Sequence, residues 1–146
     1  MEADSLIIQQ DNDDFIIPAP ADWTGIDTIT VTSSDGYYLD QEVIPVLVLP
    51  INDAPSISTI PDISFPEDSS YTIQLDSFVT DIDDTTFLWA VESGSDSLTI
   101  SFIDGAARFT SAQDFYGSQI SVSFTVQDTS GATDTDTIAV TITPVN

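Results

Sequence analysis

The chain contains no cysteine, no histidine and no lysine, and Arg108 is its one basic residue. Without cysteine there can be no disulfide staples, although this leaves the compartment open, since redox conditions only limit where such bonds persist. Without His, Cys or Lys there is no side chain to act as the base of a Ser-His-Asp or Cys-His arrangement, and no Lys-Asn isopeptide crosslink can form. A nucleic acid partner is excluded as well, because a phosphate backbone would meet carboxylates with almost no cations to displace its counterions. No apolar run approaches the roughly 18 residues that cross a bilayer. The opening Met1-Glu2-Ala3-Asp4 has neither the basic start nor the apolar stretch of a signal peptide.

What is abundant is acid. Aspartate and glutamate total 25, giving a formal charge of −24, yet 41% of the residues are hydrophobic, far too many for a disordered acidic tail. The chain is therefore expected to fold. Its 146 residues suffice for one β-sandwich and part of a second.

The sequence also repeats itself. Ser5-Leu6-Ile7-Ile8 through Asp22-Trp23-Thr24-Gly25 runs parallel to Ser97-Leu98-Thr99-Ile100 through Asp114-Phe115-Tyr116-Gly117, and Pro50-Ile51-Asn52 returns as Pro144-Val145-Asn146, 94 positions on. That period is too long for a helical solenoid unit and fits one all-β sandwich domain. Within each copy the hydrophobic period is two. Thr28 to Thr32 and Val46 to Leu49 in the first answer Ser121 to Val126 and Ile138 to Thr143 in the second, as strands with one buried face. Further strands are expected over Ile57 to Ile60, Tyr71 to Leu75, Phe87 to Val91, Leu98 to Phe102 and Ala107 to Thr110. Turn signals at Asp35-Gly36, Asp104-Gly105, Ser130-Gly131 and Asp81 to Asp84 separate them. No segment reads as a helix, so the expected fold is an antiparallel Greek-key sandwich. Pro50 and Pro55 bracket a short, stiffened linker, Ile51 to Ala54. Residues 1–52 then form the C-terminal half of a repeat and 53–146 a complete one. The first unit lacks its leading strands, which leaves an apolar face and strand edges bare. This reflects either a fragment boundary or strands donated by a neighbouring chain.

Several short motifs occur in order: Pro50-Ile51-Asn52-Asp53-Ala54-Pro55, Phe65-Pro66-Glu67-Asp68, Leu75-Asp76-Ser77-Phe78-Val79-Thr80-Asp81-Ile82-Asp83, Asp114-Phe115-Tyr116-Gly117 and Val126-Gln127-Asp128. Together they resemble the cadherin-like, immunoglobulin-like tandem repeats of large bacterial surface adhesins. The resemblance covers one full repeat and half of another. It implies an immunoglobulin-like sandwich, an extracellular setting, and calcium between consecutive domains, held by an Asn-Asp linker, an Asp-x-Asp loop and acidic residues of the preceding domain.

Charge leads to calcium independently. Two carboxylates about 4 Å apart repel by roughly 1 kcal/mol in water and about 4 kcal/mol at an effective dielectric of 20, so a cluster of them needs a counter-cation. Calcium takes six to eight oxygens, while the absence of His and Cys disfavours zinc and copper. The expected junction site comprises Asn52, Asp53, Asp81 and Asp83, with Asp22 and Asp35 reaching from the preceding unit. Glu67, Asp114, Asp128 and Asn146 are expected to form its counterpart at the far end. Other acids read as structural: Asp11-Asn12-Asp13-Asp14 as a hairpin turn, and Asp134-Thr135-Asp136 as the solvated face of a strand start. Trp23 and Trp89 read as core, and Arg108 as half of an ion pair.

These features point to a non-catalytic, calcium-binding spacer or adhesion module on a cell surface. Its partners would be neighbouring repeats or identical chains, with any cell-surface or carbohydrate ligand bound elsewhere in the parent. A carboxylate-pair glycosidase, using Asp81 with Glu92 or Asp104 with Asp114, would need a cleft that such a repeat seldom offers. The alternative is a filament or surface-lattice subunit whose incomplete first sandwich is completed by a neighbour. A third, compatible reading is adaptation to salt, in which the acidic surface maintains solubility.

Overall fold

The computed structural model describes residues 6–11 and 14–146, so the first five residues and Asn12-Asp13, the centre of an expected hairpin turn, lie outside the described residues. The chain divides into two compact units, Met1–Ile51 and Asn52–Asn146. The division falls one residue before the boundary read from the sequence. No α-helix occurs among the described residues, and no helix is long and apolar enough to cross a membrane.

The first unit is two antiparallel hairpins. β1 (Gln9–Asp11) pairs with β2 (Asp14–Ile16), and β3 (Gly25–Ser34) pairs with β4 (Leu39–Val48). Between β3 and β4 the Asp35-Gly36 signal forms the turn. Asp35 Oδ1 accepts the amides of Tyr37 at 2.9 Å and Tyr38 at 2.8 Å, and Gly36 takes φ +93°. No described residue of this unit is fully buried.

The second unit is a sandwich. Its strands are β5 (Ser56–Ile57), β6 (Ile63–Pro66), β7 (Ser70–Gln74), β8 (Val79–Thr80), β9 (Leu88–Ser93), β10 (Leu98–Ile103), β11 (Ala106–Ser111), β12 (Gly117–Gln127) and β13 (Thr133–Thr143). One sheet has the order β6-β13-β12-β9, with β6 parallel to β13 and the other pairs antiparallel; the facing sheet is β10-β11-β7. β5 and β8 form a separate pair. The alternation of Val122, Phe124 and Val126 on β12, and of Ile138, Val140 and Ile142 on β13, sends one full face inward, and all of these but Val126 share a core cluster with Ile73, Leu75, Leu98 and Phe109. Phe109 and Phe124 touch edge to face across the core, with ring centroids 6.0 Å apart.

The Asp104-Gly105 pair closes β10 onto β11 with φ +50° and +72°, the left-handed pair that a two-residue hairpin of matching twist requires. Gly105 cannot be replaced lightly, because its φ of +72° strains any other residue and a Cβ there would also force the Asp76 carboxylate to move. Trp89 packs partly buried against the core and donates from its indole nitrogen to Asp76 Oδ1 at 2.8 Å.

Three readings need correction. The strand expected over Ile57 to Ile60 stops at Ile57. Beyond it, carboxylates take the place of ladder carbonyls: Asp134 Oδ2 accepts the Ile57 amide at 2.7 Å and Asp136 Oδ2 accepts that of Ile60 at 2.8 Å. Asp134 and Asp136 are therefore half-buried clamps rather than a solvated face. Finally, Asn52 and Asp53, expected within a stiffened linker, are hydrogen-bonded to Asp128 and Asp83 as part of the second unit.

Candidate metal centre

The loop between β8 and β9 folds on its first carboxylate. Asp81 Oδ1 accepts the amides of Asp83 at 2.8 Å and Asp84 at 2.9 Å, an Asx turn that spends one oxygen on the backbone. The turn separates the acids that follow. Asp83 Oδ2 accepts the Asp53 amide at 2.8 Å, while the Asp84 carboxylate accepts the Thr129 hydroxyl at 2.9 and 3.0 Å.

Thr129 follows Asp128, which closes β12 onto β13. The Asp128 side chain is only 3% exposed. Its Oδ1 accepts the amides of Ser130 at 2.9 Å and Ala132 at 2.7 Å, and its Oδ2 accepts the Asn52 side-chain amide at 2.7 Å. The Asn52 donor is the strongest influence holding the Asp128 carboxyl below the usual range; desolvation opposes it, and the amides of Ala132, Gly131 and Ser130 add to it.

Asp81, Asp84 and Asp128 thus converge, each offering an oxygen within 4.8 Å of the others. Asp81 Oδ2 is shielded from solvent and has no hydrogen-bond partner. A buried, unpaired oxygen on a carboxylate that has two further carboxylates nearby is costly unless something positive meets it. The chain's one basic side chain does not serve that purpose: Arg108 lies on β11 and reaches Ser70 Oγ at 3.4 Å. Oxygen-only donors on short loops suit a hard divalent cation of calcium type.

The remaining acids expected to bind metal fall elsewhere. Asp22, at φ +59°, and Asp35, committed to its turn, belong to the first unit. Glu67 is buried where β13 ends: its amide donates to the Thr143 carbonyl at 2.9 Å, and its Oε1 accepts the Val145 amide at 2.7 Å. Asp114, at φ +55°, donates its amide to Asp68 Oδ1 at 3.3 Å. Asp128 therefore does not belong with Glu67 and Asp114, because it precedes β13 and they gather near its end. Asp84 is the member that sequence reasoning missed. An Asp-x-Asp pattern singles out Asp81 and Asp83, but the Asx turn directs Asp83 to Asp53 and brings Asp84 to the cluster.

A family model described as a bacterial Ig domain matches residues 52–141. No curated protein matches the chain. Among solved structures it is similar to the endo-fucoidan hydrolase MfFcnA4 from glycoside hydrolase family 107, at 23% identity and a TM-score of 0.49, covering 98% of this chain and 22% of that one. It is also similar to the hydrolase MfFcnA9 of the same family, at 16% identity and TM-score 0.45 over 94% of this chain and 26% of that one. A third is the PKD domain from the KIAA 1837 protein, at 17% identity and TM-score 0.42 over 66% of this chain and 92% of that one. The chain spans about a quarter or less of the two hydrolases.

Proposed function

Because the chain belongs to the bacterial Ig domain family, we propose that it serves as a non-catalytic, calcium-binding repeat of an extracellular surface protein, acting as a spacer or adhesion segment. The observation that carries this reading is Asp81 Oδ2, buried and unpartnered beside Asp84 and Asp128. Those three carboxylates would hold the ion, which would supply the positive charge that the cluster lacks. Asn52 and Asp53 are tied to Asp128 and Asp83. Filling the cluster would therefore stiffen the point where the chain enters the second unit. The rigidity is mechanical, and the chain has no His, Cys or Lys to activate a hydroxyl nucleophile or to serve as one.

Titration calorimetry on the full chain tests it. Calcium should bind at one dominant site. Asp81→Ala should abolish that binding, whereas Asp104→Ala, on the β10–β11 turn, should leave it intact. Equal losses in both variants, or no saturable heat in the parent, would remove the calcium reading.

A further inference from the structure

The two units repeat the same hairpins, apart from a β-bulge between Gly117 and Ile120 that the first unit lacks. Gly25 pairs with Val48 as Gly117 pairs with Ile142, and Ile29 pairs with Ile44 as Val122 pairs with Ile138. Asp22 and Asp114, which precede these hairpins, share the left-handed conformation. Burial is where the units part. Val122, Phe124, Ile138, Val140 and Ile142 are at most 2% exposed. Their counterparts Ile29, Val31, Ile44, Val46 and Val48 all keep solvent contact, reaching 45% at Val31 and 39% at Ile44. Residue type does not explain this, since both sets are apolar. The difference is in neighbours: β13 has β6 along its outer edge, β12 has β9, and β11 has β7. Among the described residues β3 and β4 pair only with each other, and an open groove of about 350 Å³ lies along Ile8, Phe15, Ile17, Ile29, Val31 and Ile44.

We infer that this face is a receptor for the leading half of a repeat of the same kind, a polypeptide segment patterned like residues 52–96. The second unit supplies the register. One strand adds parallel to β4 with apolar residues opposite Val46 and Val48, as Ile63 and Phe65 lie opposite Val140 and Ile142. Another adds antiparallel to β3 with an apolar residue opposite Val31, as Val91 lies opposite Phe124. Pro45 marks where the parallel ladder begins. Its counterpart Ala139 donates to Asp62 Oδ1 at 2.8 Å, just before β6 starts, and proline has no donor to satisfy at that place. Past Pro45 the free edge carries Leu47 and Leu49 and no charged residue to deter pairing.

The test adds a synthetic peptide with the sequence of residues 52–96 to the full chain and follows amide exchange. Uptake should be one to one, and exchange at Leu47 and Leu49 should slow by about tenfold or more. Val46→Asp should prevent uptake while the melt of the second unit is unchanged. Three results would overturn the inference: no change in exchange at those amides, a chain that dimerises alone with the amides already protected, or equal uptake by Val46→Asp.

Discussion

Aspartate in this chain serves mostly as a backbone acceptor. Asp27 illustrates the role: its Oδ2 accepts the Leu6 amide at 3.0 Å, and its Oδ1 accepts the Thr28 amide at 2.7 Å. The Leu6 bond first, and the Thr28 bond second, hold its carboxyl below the usual range, with desolvation opposing them. A depressed folded value fixes the sign of the pH effect. The tether contributes fully above the unfolded value of about 3.9 and is lost as pH falls through the lower folded value. On titration from about pH 6 to about pH 2, the Leu6 amide resonance should therefore move only in the acid limb, with a midpoint below about 3.9. Asp27→Asn, neutral throughout, should flatten that movement. A midpoint at or above the unfolded value would show that the carboxylate does not hold Leu6.

Among the elements, the segment between β5 and β6 is the least conventional. Residues 57–62 run beside β13 without a backbone ladder, held by Asp134 and Asp136 from one side and by Asp62 from the other. Asp136→Ala would strand the Ile60 amide next to a side chain that is 3% exposed, and an unsatisfied buried donor costs about 1–3 kcal/mol. Urea melts should show that loss, and Asp136→Asn, which keeps an acceptor oxygen, should recover most of it. A parental melt for Asp136→Ala would mean that the amide has another acceptor. This segment also marks the limit of what the sequence discloses. β12 and β13 are legible because β-branched residues alternate over ten or so positions with one face buried. β6 is not, since four residues bounded by Pro61 and ending in Pro66 carry too little pattern. The candidate metal centre was half legible for a similar reason. An acidic loop is plain in sequence, but the turn that selects Asp84 over Asp83 depends on which amides Asp81 captures, and the pairing of Asn52 with Asp128 spans 76 residues.

For the whole molecule the question is whether its charge of −24 is met diffusely or at one place. Diffuse screening treats all carboxylates alike: it depends on ionic strength, with a Debye length of about 8 Å at 0.15 M, and does not saturate at stoichiometric ion. Coordination at Asp81, Asp84 and Asp128 would behave otherwise, because binding to the folded state alone stabilises by mass action, about 2.7 kcal/mol at a hundredfold excess over Kd. It would also separate calcium from magnesium, since the smaller ion demands near-ideal octahedral geometry and gives up its water reluctantly. At constant ionic strength, calcium should raise the melting temperature along a saturating curve, and magnesium should raise it less. In Asp81→Ala the two ions should become equivalent, leaving only the shared screening response. If calcium and magnesium already coincide in the parent chain and stability keeps climbing with potassium chloride toward about 1 M, the acidity is an adaptation to salt, and the orphaned Asp81 oxygen has no resident ion.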